Sequence, residues 1–164
     1  MSTTKPQQYQ CLLDQMEQLL EGERDFVVNA ALAASLVYFN LPRIQWAGFY
    51  MRRGDELVVG PFQGRPASTH IPIGQGVCGM AAARREVITL DDLRPDERAI
   101  DGNGHSAAQN EPPVSQIVAP LLDQRYVRGV LQLDSQTPGR FDPDDRQGLQ
   151  RVARMFVELT DFPE

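Results

Sequence analysis

The chain has 164 residues, of which 41 % are hydrophobic and 23 % charged, with 22 acidic against 16 basic side chains and a formal net charge of −6. That balance suits one domain, residues 1–164, with a real core, and gives a nucleic-acid backbone no basic surface to grip. No apolar run approaches the ~20 residues of a membrane-spanning helix. The polar start "MSTTKPQQYQ" lacks a signal-type apolar segment, and two cysteines do not make a disulfide scaffold, so a cytoplasmic protein is expected.

Residues 7–21 put Tyr9, Leu12, Leu13, Met16, Leu19 and Leu20 at helical spacing, with Gly22 as the stop. "DFVVNAALAASLVYFNLP" predicts a second helix, apolar on most sides and therefore buried, which Pro42 ends. These two helices occupy about residues 7–40. The texture then changes. "RIQWAGFYMR" and "ELVVGPF" flank the short turn "RGD" and predict a β-hairpin. Trp46, Gly48 and Tyr50 alternate along its first strand and so share one face. "STHIPI" is a third strand, residues 77–85 a short helix and "EVITL" a further strand. Residues 91–113 show no periodicity, and five prolines and glycines break any element there. A loop of that length inside a compact domain is usually functional or disordered. "VSQIVAPLLD" and "YVRGVLQLDS" predict a second hairpin, closing a sheet-and-pocket region of about residues 43–135. An amphipathic helix carrying Leu149, Val152, Ala153, Phe156 and Leu159 follows over about residues 144–160. Strands joined by short turns imply an antiparallel α+β sheet with helices on one face, the N- and C-terminal helices packed together.

The stretch "IPIGQGVCGMAAARRE" spells G-x-G-x-x-G with Gly74, Gly76 and Gly79. A dinucleotide fingerprint needs a parallel βαβ unit and an acid about twenty residues further on. Here the glycines follow a hairpin, and the next aspartates, Asp91 and Asp92, come too early. The better reading is a tight strand-to-helix turn. Cys78 in its first helical turn would feel the helix dipole, which favours thiolate. A small buried cysteine filling a tight corner is the commoner case.

In this element order, "WAGFY", "VGPFQGRPAS", "IPIGQGVCGMAA", "SQIVAPL", "GVLQLDS" and "FDPDD" resemble the free methionine-R-sulfoxide reductases over roughly residues 10–160. These are single GAF domains that reduce the free amino acid. The resemblance implies a GAF fold with a central six-stranded antiparallel sheet flanked by helices, the ligand enclosed beneath a loop. It also implies a pocket wall of Trp46 and Tyr50, and a homodimer, for which the apolar N-terminal helix offers a surface.

Carried over residue by residue, the family's redox positions are depleted. The cysteine of the strand before the glycine turn corresponds to Ser68, and that of the turn itself is retained as Cys78. The catalytic cysteine belongs to a histidine-isoleucine-alanine-cysteine-aspartate motif. Its counterpart after His105 is Ala108, in a loop that is longer here and holds no cysteine. The family glutamate that opens the next strand is Gln116. The first of two paired aspartates is Gln132, while the second, Asp134, remains. Sulfoxide reduction of this kind needs an attacking thiolate and a resolving thiol, and neither serine nor alanine supplies one. An amide can hydrogen-bond but cannot offer an ammonium a full charge or serve as general acid.

The expected function is therefore small-molecule binding in a retained pocket lined by Trp46, Tyr50, Ser68, Cys78, His105, Ala108, Gln116, Gln132 and Asp134, with an amino-acid derivative as a candidate ligand. The alternative is an oxidoreductase that reduces free methionine-R-sulfoxide with thioredoxin by a variant mechanism, Cys78 being the candidate nucleophile. Cys78 as a packed turn residue, Cys11 as incidental, His105 as acid–base or solvated, His70 as pocket-facing or solvent-facing, and Asp134 as ligand anchor or turn cap stay open at this level. No His/Cys/Asp cluster has metal-ligand spacing, and no cofactor is expected.

Overall fold

A computed structural model describes residues 2–93 and 113–164. Ten elements follow in chain order: α1 (Lys5–Leu19), α2 (Phe26–Asn40), β1 (Trp46–Arg53), β2 (Glu56–Gln63), β3 (His70–Pro72), α3 (Gly76–Arg84), β4 (Ile88–Leu90), β5 (Ser115–Asp123), β6 (Tyr126–Ser135) and α4 (Pro143–Leu159). Caps fix where the long helices begin. Thr4 and Gln7 form a capping box on α1, Asp25 accepts from the Val28 amide at α2, and Asp142 and Asp145 form a second capping box on α4.

The strands make one six-stranded sheet in the order β3-β2-β1-β6-β5-β4, every adjacent pair antiparallel. The two expected hairpins form its centre. β3 and β4 are the edges and pair over three residues each, so the strands read from "STHIPI" and "EVITL" are shorter than their sequence pattern. These edges lie at opposite sides of the sheet, and α3 crosses its face between them. A parallel βαβ unit around the glycines is thereby ruled out.

Alternate residues of the strands feed two cores, one on each face. On one face Ala47, Phe49, Ile117, Leu121, Leu131 and Leu133 meet α1, α2 and α4. Tyr9, Leu12, Leu13 and Met16 of α1 are spent in this core, most of them against α4. Of the stripe expected to offer a dimer surface, Leu19 alone stays exposed. α2 exposes large apolar side chains of its own, with Val27 at 62 % and Phe39 at 74 % exposure. The other face gathers Trp46, Tyr50, Leu57, Ile71, Val118 and Val130 beneath Val77, Cys78 and Ala81 of α3.

Candidate functional site

The register of the three central strands assembles the site. Gln116 of β5 lies opposite Asp134 of β6, and Asp134 lies opposite Trp46 of β1. Two residues along, Val118, Gln132, Gly48 and Phe62 form a parallel row across β5, β6, β1 and β2. The site thus consists of transverse rows of a single pleated face, drawn from strands far apart in sequence. Gly48 keeps that face open for its neighbours. A Cβ there would stand 2.4 Å from Phe62 Cβ and 2.7 Å from the Trp46 ring.

Trp46 and Tyr50 stand side by side, and a third ring that sequence reading missed joins them. Trp46 and Tyr50 ring centroids are 5.9 Å apart, and Phe62 stacks on Trp46 at 5.3 Å with an interplanar angle of 19°. The sequence signal for Phe62 was its place on the second hairpin strand opposite Gly48. The polar tips are held as well. Trp46 Nε1 donates to the Arg65 carbonyl and Tyr50 OH to the Ser68 carbonyl, both at 3.0 Å. Ser68 is thus beside the aromatic wall, touching it through its backbone.

The polar floor is a directed network of fully buried groups. Gln116 Nε2 donates to Asp134 Oδ1 at 2.7 Å, and Gln132 Nε2 donates to Oδ1 and Oδ2 at 2.9 and 3.1 Å. The Cys78 thiol donates to Gln132 Oε1. The run from thiol through amide to carboxylate has one sense, because an amide oxygen facing a thiolate would meet a second acceptor. Burial pushes the Cys78 thiol well above its ordinary range, and the Asp134 carboxylate adds to that shift. Burial likewise raises the Tyr50 phenol, with Cys78 and Asp134 contributing.

The surroundings of the other candidate residues follow from this geometry. Cys78 is a packed residue of the glycine turn, its thiol a donor. Asp134 receives the side-chain amides of Gln116 and Gln132, and in the following turn Ser135 Oγ accepts from the Thr137 amide. His70 faces outward beside Glu56, its side chain 57 % exposed. Cys11 is exposed on α1, across the sheet from Cys78. His105 and Ala108 lie outside the described residues. The three glycines of the turn have separate roles. Gly74 and Gly76 adopt φ of 92° and 65°, whereas a Cβ on Gly79 would lie 2.5 Å from the Pro72 carbonyl. All three serve the β3–α3 corner.

The fold and the sequence are similar to those of known proteins. The GAF domain family matches residues 9–157. A "Free methionine-R-sulfoxide reductase" of Escherichia coli (strain K12) is 40 % identical over 142 residues, covering 86 % of this chain and 81 % of that one. A "Putative GAF sensor protein" from Burkholderia vietnamiensis is 41 % identical with a TM-score of 0.86, covering 96 % of both chains. The free methionine-R-sulfoxide reductase of Neisseria meningitidis, solved in complex with its substrate, is 32 % identical with a TM-score of 0.85, covering 97 % of this chain and 92 % of that one. With a family match across nearly all of its length and relatives of this identity and coverage, the chain is a GAF domain homologous to the free methionine-R-sulfoxide reductases.

Proposed function

We propose that this protein binds a small molecule on the Trp46–Tyr50–Asp134 face and does not carry out thiol-based sulfoxide reduction. The observation that carries this reading is the placement of Cys78, which is fully buried, hydrogen-bonded to Gln132 and pushed up from its ordinary pKa by that burial. A thiol attacks sulfur as its thiolate, and the network around Cys78 favours the S–H form. Ser68 stands where the resemblance implies a second cysteine, and no cysteine occurs between residues 79 and 164. The amides of Gln116 and Gln132, at positions where the resemblance implies carboxylates, reduce the attraction for an amino group. A neutral or less cationic ligand is therefore preferred over free methionine sulfoxide, each missing charge-assisted bond weakening binding by ~1.5–3 kcal/mol.

The second reading is reduction of free methionine-R-sulfoxide with thioredoxin, favoured by the identity to enzymes with that name. One assay separates the two. NADPH consumption with thioredoxin and thioredoxin reductase should stay at background for the wild type. Turnover that vanishes in Cys78→Ser would overturn our reading and make Cys78 the nucleophile. Binding is followed by calorimetry and by the emission of Trp46, the single tryptophan of the chain. Micromolar affinity for methionine-R-sulfoxide would contradict the expected preference.

A homodimer in a cytoplasmic setting belongs to the same reading. The outer face of α2 supports it, for no charged side chain occurs from residue 26 to residue 42 and Val28 and Phe39, which share one face of the helix, are exposed. The exposed free thiol of Cys11 suits a reducing compartment. Light scattering giving only 18.3 kDa at micromolar concentration would rule the dimer out.

A further inference from the structure

A cleft of about 640 Å³ opens at the far end of the β1–β2 hairpin, between that hairpin, the start of α2 and residues 162–164. It is separate from the Trp46–Asp134 site and shares no lining residue with it. Its size falls within the usual range for small-molecule sites. Apolar groups supply much of its wall, among them Val27, Met51, Val58, Pro61 and Phe162.

Three arginines line the cleft. Arg52 and Arg53 end β1, and Arg128 stands near the start of β6. Arg52 and Arg128 both lie over the ring of Tyr126, at 5.5 and 5.1 Å from its centroid, and Tyr126 itself is 56 % exposed. The ring holds two like charges close to each other at the surface of a protein whose net charge is −6. Arg128 is partly neutralised by Asp123, at 3.1 Å. Arg52 donates through Nε to the Gly54 carbonyl, and neither Arg52 nor Arg53 has a carboxylate partner among the described residues. Glu164 is the acid that lines the cleft. Arg52 and Arg53, with Arg128 already facing Asp123 and with Glu164 as the acid side chain of the lining, stand beside an apolar wall and complement a ligand with an anionic head and an apolar body.

We propose that this cleft is a binding site for an amphipathic carboxylate, the head on Arg52, Arg53 and Arg128 and the hydrocarbon along Val27, Met51 and Val58. The arginines alone would suit any small anion, and the apolar wall alone any greasy surface. Their juxtaposition selects molecules that carry both.

The test uses dodecanoate below its micelle-forming concentration, titrated into the whole protein by calorimetry. Saturable binding of one molecule per chain is expected, with Trp46 emission unchanged because the tryptophan lies outside the cleft. R52Q combined with R53Q should weaken binding about tenfold, which corresponds to the loss of roughly one charge-assisted bond. V27E, a change at an exposed position, should weaken it comparably by placing an acid beside the hydrocarbon. Dodecanol, which lacks the charge, should bind at least tenfold less tightly. No saturable binding up to millimolar dodecanoate would overturn the proposal, as would equal affinity of dodecanol or of the double arginine variant.

Discussion

Cys78 is placed where two opposed effects meet. The third residue of α3 sits in the positive field of a helix N-terminus, which lowers a thiol pKa. Burial and the nearby Asp134 carboxylate raise it, and these win because the sulfur has no exposure at all. A maleimide reagent at neutral pH should therefore label one thiol per native chain, Cys11, and two after denaturation. Rapid native labelling of Cys78 would contradict the protonated, enclosed thiol. The buried phenols allow a second test. Tyr9 and Tyr50 are both raised above the ordinary value of about 10, burial being the largest cause, with Asp145 adding at Tyr9. The native state then holds these protons more tightly than the unfolded state. Their contribution to stability is complete below about pH 10 and declines as the pH climbs above it. Denaturant titrations at neutral and strongly alkaline pH should show that decline. It should be smaller in Tyr50→Phe, which also forfeits the bond to the Ser68 carbonyl, about 1 kcal/mol at neutral pH.

At the scale of elements, the α1–α4 contact rests on one close approach and one buried charge cluster. Gly148 of α4 faces the Tyr9 ring so closely that a Cβ would stand 2.2 Å from Tyr9 Cγ. Replacing an interior helical glycine by alanine normally gains up to about 1 kcal/mol. In Gly148→Ala the overpacking, at about 1–3 kcal/mol, reverses that gain, and a lowered urea midpoint should record it. The Tyr9 hydroxyl donates to Asp145 Oδ1 at 2.9 Å, Lys5 Nζ reaches Oδ2 at 2.6 Å, and Arg140 Nη1 contacts both oxygens at 3.1 Å. Arg140 and Asp145 are almost wholly buried. Asp145→Ala leaves the Arg140 charge enclosed without its partner, and a loss of about 3–5 kcal/mol is expected in chemical denaturation. The double change Asp145→Leu with Arg140→Met removes both charges and should cost less than Asp145→Ala alone. A larger cost for the double variant would mean that the cluster acts mainly through packing of the α4 start.

For the whole molecule, the sheet is a partition. One face is committed to a helical layer, and the other carries the polar network under α3. Cys11 and Cys78 fall on opposite sides of it, so oxidation should give no intrachain disulfide. Mass spectrometry after mild diamide treatment should find Cys11 modified or linked between chains, with Cys78 intact. An internal Cys11–Cys78 bridge in folded protein would contradict the arrangement of layers.

Local sequence was enough for the elements themselves. Helical spacing from Tyr9 to Leu20, alternation from Trp46 to Tyr50 and the short turns at residues 53–55 and 124–125 are encoded by near neighbours, and all ten elements were read in their order. The motif resemblance identified the strands that carry the site, and Trp46, Tyr50, Cys78, Gln116, Gln132 and Asp134 meet on one face. What each residue does there was not legible. The burial of Cys78 against Gln132, the two amides on Asp134 and the stacking of Phe62 on Trp46 depend on how elements separated by as many as 54 residues are brought together. So does the Arg140–Asp145–Tyr9 cluster, which joins the two ends of the chain. Periodicity tells a strand which of its faces is apolar. Only packing decides what lies opposite, and for a buried polar group the opposite partner sets both its charge and its role.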